Sequence, residues 1–468
     1  MKTFDEIYIL DLHGNSLKRE TTPNGSRDEN VFDIRQGVAI TLFIKSSNKK
    51  KKQVFHADLY GLRDEKYQWL RDNIYSADIY KNIQPLSPYY FLIHRDIDKI
   101  SHYLDWLKIN EIFPNNSVGI VTARDKFTIK WSSEEIWTTV LNFSRYEEEY
   151  SRQVFNLGKD VKDWKVGFAK KDLTESGLRK EKIKPIMYRP FDIRYTYYTG
   201  NSRGFLCRPR PEIMKQMLKE NIGLTVGRQG KVVGENKNWN LVYITNNIVD
   251  FNLFYRGGAL LMPLYKYLDE ENRTLFDEPS ANKEPNLSTS LVEKLSFEFK
   301  SLLPEDILYY IYGILYSDIY RITYNEFLMV DYPRIPFTKN FKVFTKFVDL
   351  GRRLVELHLL RSQELSQTVV RFQGEGNNLL IEKRKYEKSS KRVYINNDYY
   401  FEGVDPEVWE YQIGGYQVMD KYLKDRKGRR MDDPRHYIHI ATAIEKTIEI
   451  QKEIDAIYPE VEKDLIDF

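Results

Sequence analysis

The first 60 residues alternate between short apolar runs and polar loops, a pattern that predicts β-strands. Ile7–Leu10 is a continuous apolar run that leads into a polar loop, as expected for a buried strand. Val38–Ile44 predicts a second strand, and Gln53–Asp58 predicts its hairpin partner across the basic turn at residues 45–52. Because no strand precedes residue 6, the pattern favours the tail of a sheet whose first strands are missing.

Beyond residue 60 the apolar spacing changes, and much of the stretch 60–180 predicts helices. Val118–Thr122 interrupts this stretch with a short predicted strand. Alternating Tyr, Thr, Ile and Phe predict strands over residues 186–198, and Ile222–Val226 predicts another. Between them, Pro211–Glu220 predicts a helix, since proline is favoured in the first helical turn.

The C-terminal third of the chain is predicted to be largely helical. A proline followed by two acids at residues 304–306 predicts the start of a helix. Phe341–Leu360 predicts a second helix, and apolar residues at helical spacing over 437–448 predict a long last one. Residues 365–400 predict charged strands and turns. The polar stretch at residues 269–286 is the best candidate for an internal linker.

Composition is that of a globular protein with more than one domain. The chain has 468 residues, 41% of them apolar and 30% charged, which is enough for two or three domains with real cores. Its 34 tyrosines either pack in the core or form a polar recognition surface. The net charge is only +4, so a binding site for a polyanion has to be a local patch.

Several classes of protein are disfavoured. Cys207 is the single cysteine, which excludes multi-cysteine zinc and iron–sulfur sites and indicates a reducing compartment. No apolar run approaches the ~18 residues of a membrane helix. The first residues also lack the pattern of a signal peptide. We therefore expect a cytoplasmic protein.

The sequence contains few residue patterns that support an enzymatic activity. Adenine methylation needs a glycine-rich turn and an Asn/Asp-Pro-Pro-Tyr/Phe loop, and the nearest match is Ser87–Tyr90. Glu298, with a lysine two residues later, has nuclease-like spacing that also arises by chance. His436 and His439 lie one turn apart, and His13 follows a buried strand, where α/β folds place ligand groups. We predict no catalytic, cofactor-binding or metal-binding residue in this chain.

Basic residues interleaved with aromatic residues are the stronger signal. Arginine and glutamine read guanine and adenine edges, and lysine holds phosphates. The alternative for both clusters is an ordinary solvated surface. We predict DNA contacts from two clusters. The first cluster consists of Arg203, Arg208, Arg210, Arg228, Gln229 and Lys231. The second cluster consists of Lys424, Arg426, Lys427, Arg429 and Arg430.

Seven short motifs occur in an order that is known from one family. Together they resemble the C-terminal part of type ISP restriction–modification enzymes and of related single-chain type IIG enzymes, over essentially the whole chain. The motifs are Asp11–Asn15, Gly37–Ile40, Gly119–Asp125, Tyr188–Asp192, Arg208–Glu212, Tyr332–Pro336 and Gly414–Tyr416.

The resemblance implies a mixed α/β and α+β fold in three parts. Residues 1–60 would be the last strands of a Rossmann-like methyltransferase sheet, and residues 61–180 a mostly helical connection. Residues 181–468 would form an α+β target-recognition (specificity) domain with C-terminal helices.

The implied function is sequence-specific recognition of double-stranded DNA within a restriction–modification enzyme that methylates adenine N6. S-adenosylmethionine would serve the complete enzyme, and this chain itself would bind no cofactor. The missing methyltransferase, motor and nuclease half is the expected partner, and no membrane is. The alternatives are a self-contained adenine methyltransferase or nuclease with unrecognised motifs, and a non-catalytic remnant.

Overall fold

The chain is organised in two compact units. The first comprises described residues up to Asp105 and the second those from Trp106 onward. No helix within the described ranges is long and apolar enough to cross a membrane. The computed structural model describes residues 3–16, 20–45, 52–73, 77–93, 97–161, 163–227, 239–268 and 283–468. Outside them lie most of the predicted linker and the predicted contact residues Arg228, Gln229 and Lys231.

The first unit is built on one mixed sheet with the strand order β2-β1-β3-β4. Strands β1 and β3 are parallel, whereas β2 and β4 pair antiparallel with β1 and β3. The predicted strands are confirmed, but the predicted hairpin is wrong, because Gln53–Asp58 pairs with β1 and not with β2. The elements are β1 (Glu6–Asp11), β2 (Ala39–Ile44), β3 (Gln53–Asp58), α1 (Arg63–Asp72), β4 (Lys81–Ile83) and α2 (Ile97–Leu104).

Strand β1 is central because its apolar residues serve both faces of the sheet. Ile9 packs with Val54 and Ile83 on one face, and Leu10 packs with Ala57 on the other. A strand that is buried on both faces typically lies in the interior of a sheet, and β1 has β2 on one side and β3 on the other. Strand β2, at the edge of the sheet, has all six residues exposed, four of them large and apolar.

The second unit mixes short strands and helices along its whole length. Its strands are β5 (Leu107–Lys108), β6 (Ser117–Val118), β7 (Ile129–Lys130), β8 (Ile183–Arg189), β9 (Asp192–Tyr197), β10 (Gly223–Val226), β11 (Val242–Thr245), β12 (Ile248–Val249), β13 (Leu260–Pro263), β14 (Tyr265–Tyr267), β15 (Lys283–Pro285), β16 (Arg334–Ile335), β17 (Arg371–Gly374), β18 (Lys385–Glu387), β19 (Arg392–Tyr394), β20 (Tyr399–Glu402), β21 (Gln412–Ile413) and β22 (Tyr416–Gln417). Its helices are α3 (Ile109–Ile112), α4 (Asp125–Thr128), α5 (Ser133–Arg145), α6 (Glu148–Val154), α7 (Val166–Ser176), α8 (Pro211–Met214), α9 (Thr289–Phe299), α10 (Pro304–Tyr316), α11 (Asp318–Thr323), α12 (Asn325–Leu328), α13 (Phe341–His358), α14 (Pro406–Glu410), α15 (Val418–Asp425) and α16 (Pro434–Ile457).

Two sheets of the second unit, ordered β11-β10-β13-β6 and β12-β8-β9-β7, meet next to β6. Ile120 bridges to Asp250, and Val121 bridges to Arg208. Gly119 permits this close approach, since a Cβ there would lie 2.6 Å from the Asp250 carbonyl oxygen. The loop that contains Arg208 is therefore fixed to the middle of the unit. A third sheet, β17-β20-β19-β18, confirms the strands predicted at residues 365–400.

The C-terminal core is helical, as predicted, with α10, α13 and α16 packed together. Helices α10 and α13 approach closely at Gly351, where a Cβ would lie 1.9 Å from the Tyr309 carbonyl oxygen. At least ten of the 34 tyrosines are fully buried, most of them in this region, so a substantial share of the tyrosines packs in the core. The chain is thus a mixed α/β protein, as expected.

Candidate nucleic-acid interface

The loop at residues 203–210 holds the first basic cluster on a rigid backbone. The Arg203 N–H donates to the Cys207 carbonyl at 2.9 Å, and Arg208 exchanges backbone hydrogen bonds of 2.9 and 3.0 Å with Val121. Arg203 and Arg208 are exposed. The Arg208 guanidinium donates to the Asp163 carboxylate at 2.5 Å, with 52% of the arginine side chain exposed. Exposed ion pairs are weak, so Arg208 can exchange Asp163 for another anion at little cost.

Arg210 differs from its two neighbours in the same cluster. Its backbone has a left-handed φ of 56°, and it directly precedes Pro211, the first residue of α8. The predicted helix consists of α8 and a 3₁₀ turn that ends at Leu218. The Arg210 side chain is half-buried, and its Nε is buried with no hydrogen-bond partner in the described part of the chain. An unmet guanidinium donor is suited to a ligand oxygen.

Most of the second cluster lies on the surface, in the last turn of α15 and directly after it. Lys424 and Lys427 are exposed. The side chain of Arg430 is 54% exposed. Arg429 donates to a carboxylate oxygen of Glu135 at 3.0 Å, with 44% of the arginine side chain exposed. These four cations lie close together along the chain and form a local positive surface. A protein with a low net charge needs such a local patch to bind a polyanion.

Arg426 belongs to the interior and not to this surface. Its guanidinium donates to one carboxylate oxygen of Asp192 at 2.8 Å, and Arg194 donates to the other oxygen at 2.8 Å. Burial alone would raise the pKa of Asp192, which is 3% exposed, but Arg426 and Arg194 hold that pKa below its usual value. Two cations around one carboxylate compensate its desolvation. We assign Arg426 to this buried ion pair.

Trp131 connects the second cluster to the rest of the unit. The guanidinium carbons of Arg194, Arg426 and Arg429 lie 3.7, 4.8 and 4.9 Å from the centre of its ring. Each of these contacts is a cation–π interaction. The indole therefore holds the end of α15 against the residues that precede α5.

The segment 121–135 joins the two basic clusters. At its start, Val121 bonds to the backbone of Arg208. At its end, Glu135 accepts a hydrogen bond from Arg429. The clusters are far apart in sequence, yet both contact this one short segment of the second unit.

The same segment contains cations that the sequence reasoning missed. Ala123 has a left-handed φ of 61°, a strained conformation that in proteins concentrates at functional sites. The next residue, Arg124, stacks 5.0 Å from the centre of the Trp164 ring and donates to the Lys159 carbonyl at 2.8 Å. Its Nε is buried without a partner among the described residues. Lys126, two residues later, is exposed. The motif Gly119–Asp125, which contains Arg124, was the sequence feature that could have indicated these cations.

Within the described residues, neither Glu298 nor His436 belongs to a group of side chains that could hold a metal ion. Glu298 is exposed on α9. The Nε2 of His436 lies 3.1 Å from the carbonyl oxygen of Phe191. Burial lowers the pKa of His436. This histidine is therefore a neutral structural group that links α16 to the β8–β9 turn.

Three solved structures share the fold of the chain over nearly its whole length. The ATP-dependent Type ISP restriction-modification enzyme LlaBIII bound to DNA matches 97% of this chain with a TM-score of 0.66 and 22% identity. A nuclease-deletion mutant of the Type ISP restriction-modification enzyme LlaGI, in complex with a DNA substrate mimic, matches 96% with a TM-score of 0.61 and 21% identity. The DrdV–DNA complex matches 96% with a TM-score of 0.65 and 20% identity.

The chain corresponds to 31%, 44% and 48% of the lengths of these three proteins. No curated protein sequence matches it. The family model of the type ISP C-terminal specificity domain matches residues 111–453, a range that contains both basic clusters and the segment between them. Since this match spans well over half of the sequence, the chain belongs to the type ISP C-terminal specificity domain family.

Proposed function

We propose that this chain recognises a specific sequence in double-stranded DNA on behalf of a restriction–modification enzyme. The observation that supports the proposal most directly is the membership of residues 111–453 in a specificity-domain family. The two basic clusters joined by the segment 121–135 supply a surface with the required chemistry. The solved relatives were all observed with DNA or a DNA mimic.

The two clusters have different proposed roles in DNA binding. Arg208 and Arg210 project from a backbone that is fixed by Val121 and by Pro211. A fixed backbone limits the directions that the two guanidinium groups can take, which suits the reading of base edges because bidentate bonds to guanine require a defined direction. Lys427 and Arg430 lie on a glycine-containing surface loop, which suits sequence-independent contacts with phosphates.

A comparison of two variants tests this function. The full chain is used to select duplexes from a random pool, and binding of the selected and scrambled duplexes is measured by fluorescence anisotropy. Arg208→Ala with Arg210→Ala should reduce the preference for the selected duplex. Lys342→Ala with Lys346→Ala, which removes two exposed cations from α13, is the charge-matched control and should leave the preference unchanged. Failure to enrich any sequence would contradict the proposal.

We further propose that the first unit is the end of a methyltransferase sheet. The parallel pair β1 and β3 and the exposed apolar edge strand β2 support this assignment, because an edge of this kind normally needs cover. A methyltransferase, motor and nuclease half is the proposed partner, and the complete enzyme would act on DNA in the cytoplasm. S-adenosylmethionine would bind to that half, and this chain by itself would bind none.

Two measurements examine the methyltransferase assignment. Calorimetry of the isolated chain with S-adenosylmethionine should show no micromolar binding, and such binding would favour a self-contained methyltransferase. In limited proteolysis, residues 1–60 should be cleaved before residues 181–468, because the edge strand β2 is exposed. If residues 1–60 resist longer, the idea of an incomplete sheet is wrong.

A further inference from the structure

Ionisable side chains gather at one end of the sheet in the first unit. The pairing of β1 with β3 places Asp11 opposite Asp58, and Ile9 opposite His56. Because side chains alternate between faces along a strand, Asp11, His56 and Asp58 lie on the same face. On that face Ile9 packs against Val54, and the polar groups follow these two residues towards the carboxyl ends of the parallel strands.

These three side chains have the spacing of a metal site. One potential ligand atom from each of Asp11, His56 and Asp58 lies within 4.8 Å of the other two. The Nδ1 of His56 is 3.7 Å from a carboxylate oxygen of Asp58. This distance is too long for a good hydrogen bond and is close to the separation of two ligands around one cation.

The burial of His56 is an independent observation that points to a ligand. The residue is 4% exposed, and within the part of the chain that the structure describes neither ring nitrogen has a hydrogen-bond partner: Nε2 has none, and Nδ1, which faces Asp58, makes only the 3.7 Å contact. Buried polar nitrogens almost always have a partner, so each exception needs an explanation. Lys81, which pairs with His56 from β4, is exposed, and its ammonium group can therefore extend into solvent.

A second set of groups orients the carboxylates. The backbone N–H of His13 donates to Asp11 Oδ1 at 2.9 Å. The His13 ring places Nε2 at 2.9 Å from Asp58 Oδ1 and Nδ1 at 2.9 Å from Glu20 Oε1. Carboxylates that bind metals are typically held in this way by outer hydrogen bonds. His13 stacks on Tyr60 with ring centres 3.8 Å apart, which further fixes its orientation.

We propose that Asp11, His56 and Asp58 bind a divalent cation of the zinc class, with His13 as a positioning residue. Imidazole nitrogen with carboxylate oxygen is a donor set that suits zinc and neighbouring transition metals, whereas calcium and magnesium prefer oxygen alone. Three protein ligands leave a position for water. The half-exposed Asp58 side chain, 46% accessible, gives the cation a route from solvent.

Metal titration of the full chain tests this site. After treatment with a chelator and dialysis, the protein is titrated with ZnCl₂ by calorimetry, and with CoCl₂ by visible absorption. We expect one equivalent of Zn²⁺, and the d–d bands of Co²⁺ in a site of low coordination number. Absence of stoichiometric binding by the unaltered chain would overturn the proposal, whatever the behaviour of the variants.

Variants assign the binding to these residues. His56→Gln and Asp58→Asn should each weaken Zn²⁺ binding by more than about 100-fold, and His13→Gln by about 10-fold, as is typical for outer-shell groups. The controls His439→Gln and Asp64→Asn change the same residue types elsewhere and should bind like the unaltered chain. Circular dichroism without metal checks that each variant is folded. Unchanged affinity in folded His56→Gln and Asp58→Asn would overturn the assignment.

Discussion

The second unit uses polar and cationic side chains in two opposite ways, one in its interior and one on its surface. In the interior, Arg189 pairs with Asp250 at 2.7 Å, and both are almost fully buried. On the surface, Arg208 and Arg429 keep about half of their side chains exposed and pair with carboxylates that are also partly exposed. The same residue type thus stabilises the fold in one place and remains available to a ligand in the other.

The difference teaches that the number of arginines in a sequence cluster does not measure its capacity to bind DNA. Arg426 lies within the second cluster in sequence, yet it neutralises the buried Asp192. Removing one partner of a buried pair leaves an uncompensated charge and is costly, whereas an exposed pair contributes little to stability. Mutations at interior positions should therefore lower stability, whereas mutations at surface positions should weaken DNA binding.

The largest expected effect is on stability, from Arg189→Met. This change leaves the Asp250 carboxylate buried without its partner, and we expect the free energy of unfolding to fall by about 3–5 kcal/mol. Urea unfolding followed by tryptophan fluorescence measures the loss. The double variant Arg189→Met with Asp250→Asn should recover part of the stability, because no charge remains buried. Equal stability of the single variant and the unaltered chain would remove the distinction between interior and surface.

A second interior test uses pH. His358 is 2% exposed and lies between the Tyr312 hydroxyl, at 2.7 Å, and the Thr447 hydroxyl, at 2.9 Å. Burial, together with the nearby Arg321, lowers the pKa of His358 to about 3. The folded state therefore keeps it neutral, while the unfolded state takes up a proton below its ordinary pKa of about 6.5.

The stabilising contribution of neutral His358 should thus be lost as the pH falls from 6.5 towards 3. Between pH 7 and pH 5 this single group should cost about 2 kcal/mol of stability. Urea unfolding at both pH values, compared between the unaltered chain and His358→Asn, isolates the effect. The variant should show the smaller loss, and an identical loss in both proteins would mean that His358 does not titrate on unfolding.

The surface should show a smaller effect, seen only in DNA binding. Arg208→Ala with Arg210→Ala should weaken binding to the preferred duplex by about 1–3 kcal/mol and blunt the sequence preference. Its stability should change little, since the Arg208 pair with Asp163 is exposed. Fluorescence anisotropy with matched and scrambled duplexes measures this. Equal losses for both duplexes would assign these arginines to phosphate contacts.

The smallest expected effect for each side chain comes from the second cluster. Single replacement of Lys427, Arg429 or Arg430 by alanine should weaken all duplexes alike, by under about 1 kcal/mol each. Each lost phosphate contact should reduce the slope of log affinity against log salt by about 0.9. Anisotropy titrations at several salt concentrations measure the slope. An unchanged slope in all three variants would show that this cluster is only solvated surface.

Local patterns determined much of the secondary structure from the sequence. The proline and acids at residues 304–306 start α10 as predicted, apolar spacing locates α13 to within two residues, and the apolar residues over 437–448 all lie in the long last helix α16. Aromatic and β-branched residues likewise predict β8 and β9. These predictions succeed because helical and strand periodicities depend on neighbours only a few residues apart. The ordered motifs also led to the correct family.

Only the tertiary structure decided which strands pair and which cations remain accessible. Strand β3 pairs in parallel with β1 and encloses it between β2 and β3, an arrangement that the local pattern of Gln53–Asp58 does not contain. Arg426 meets Asp192, 234 residues away, and Arg429 meets Glu135, 294 residues away. The free energy of a charge depends on its burial and its partners, and both are set by contacts between residues that are far apart in the chain.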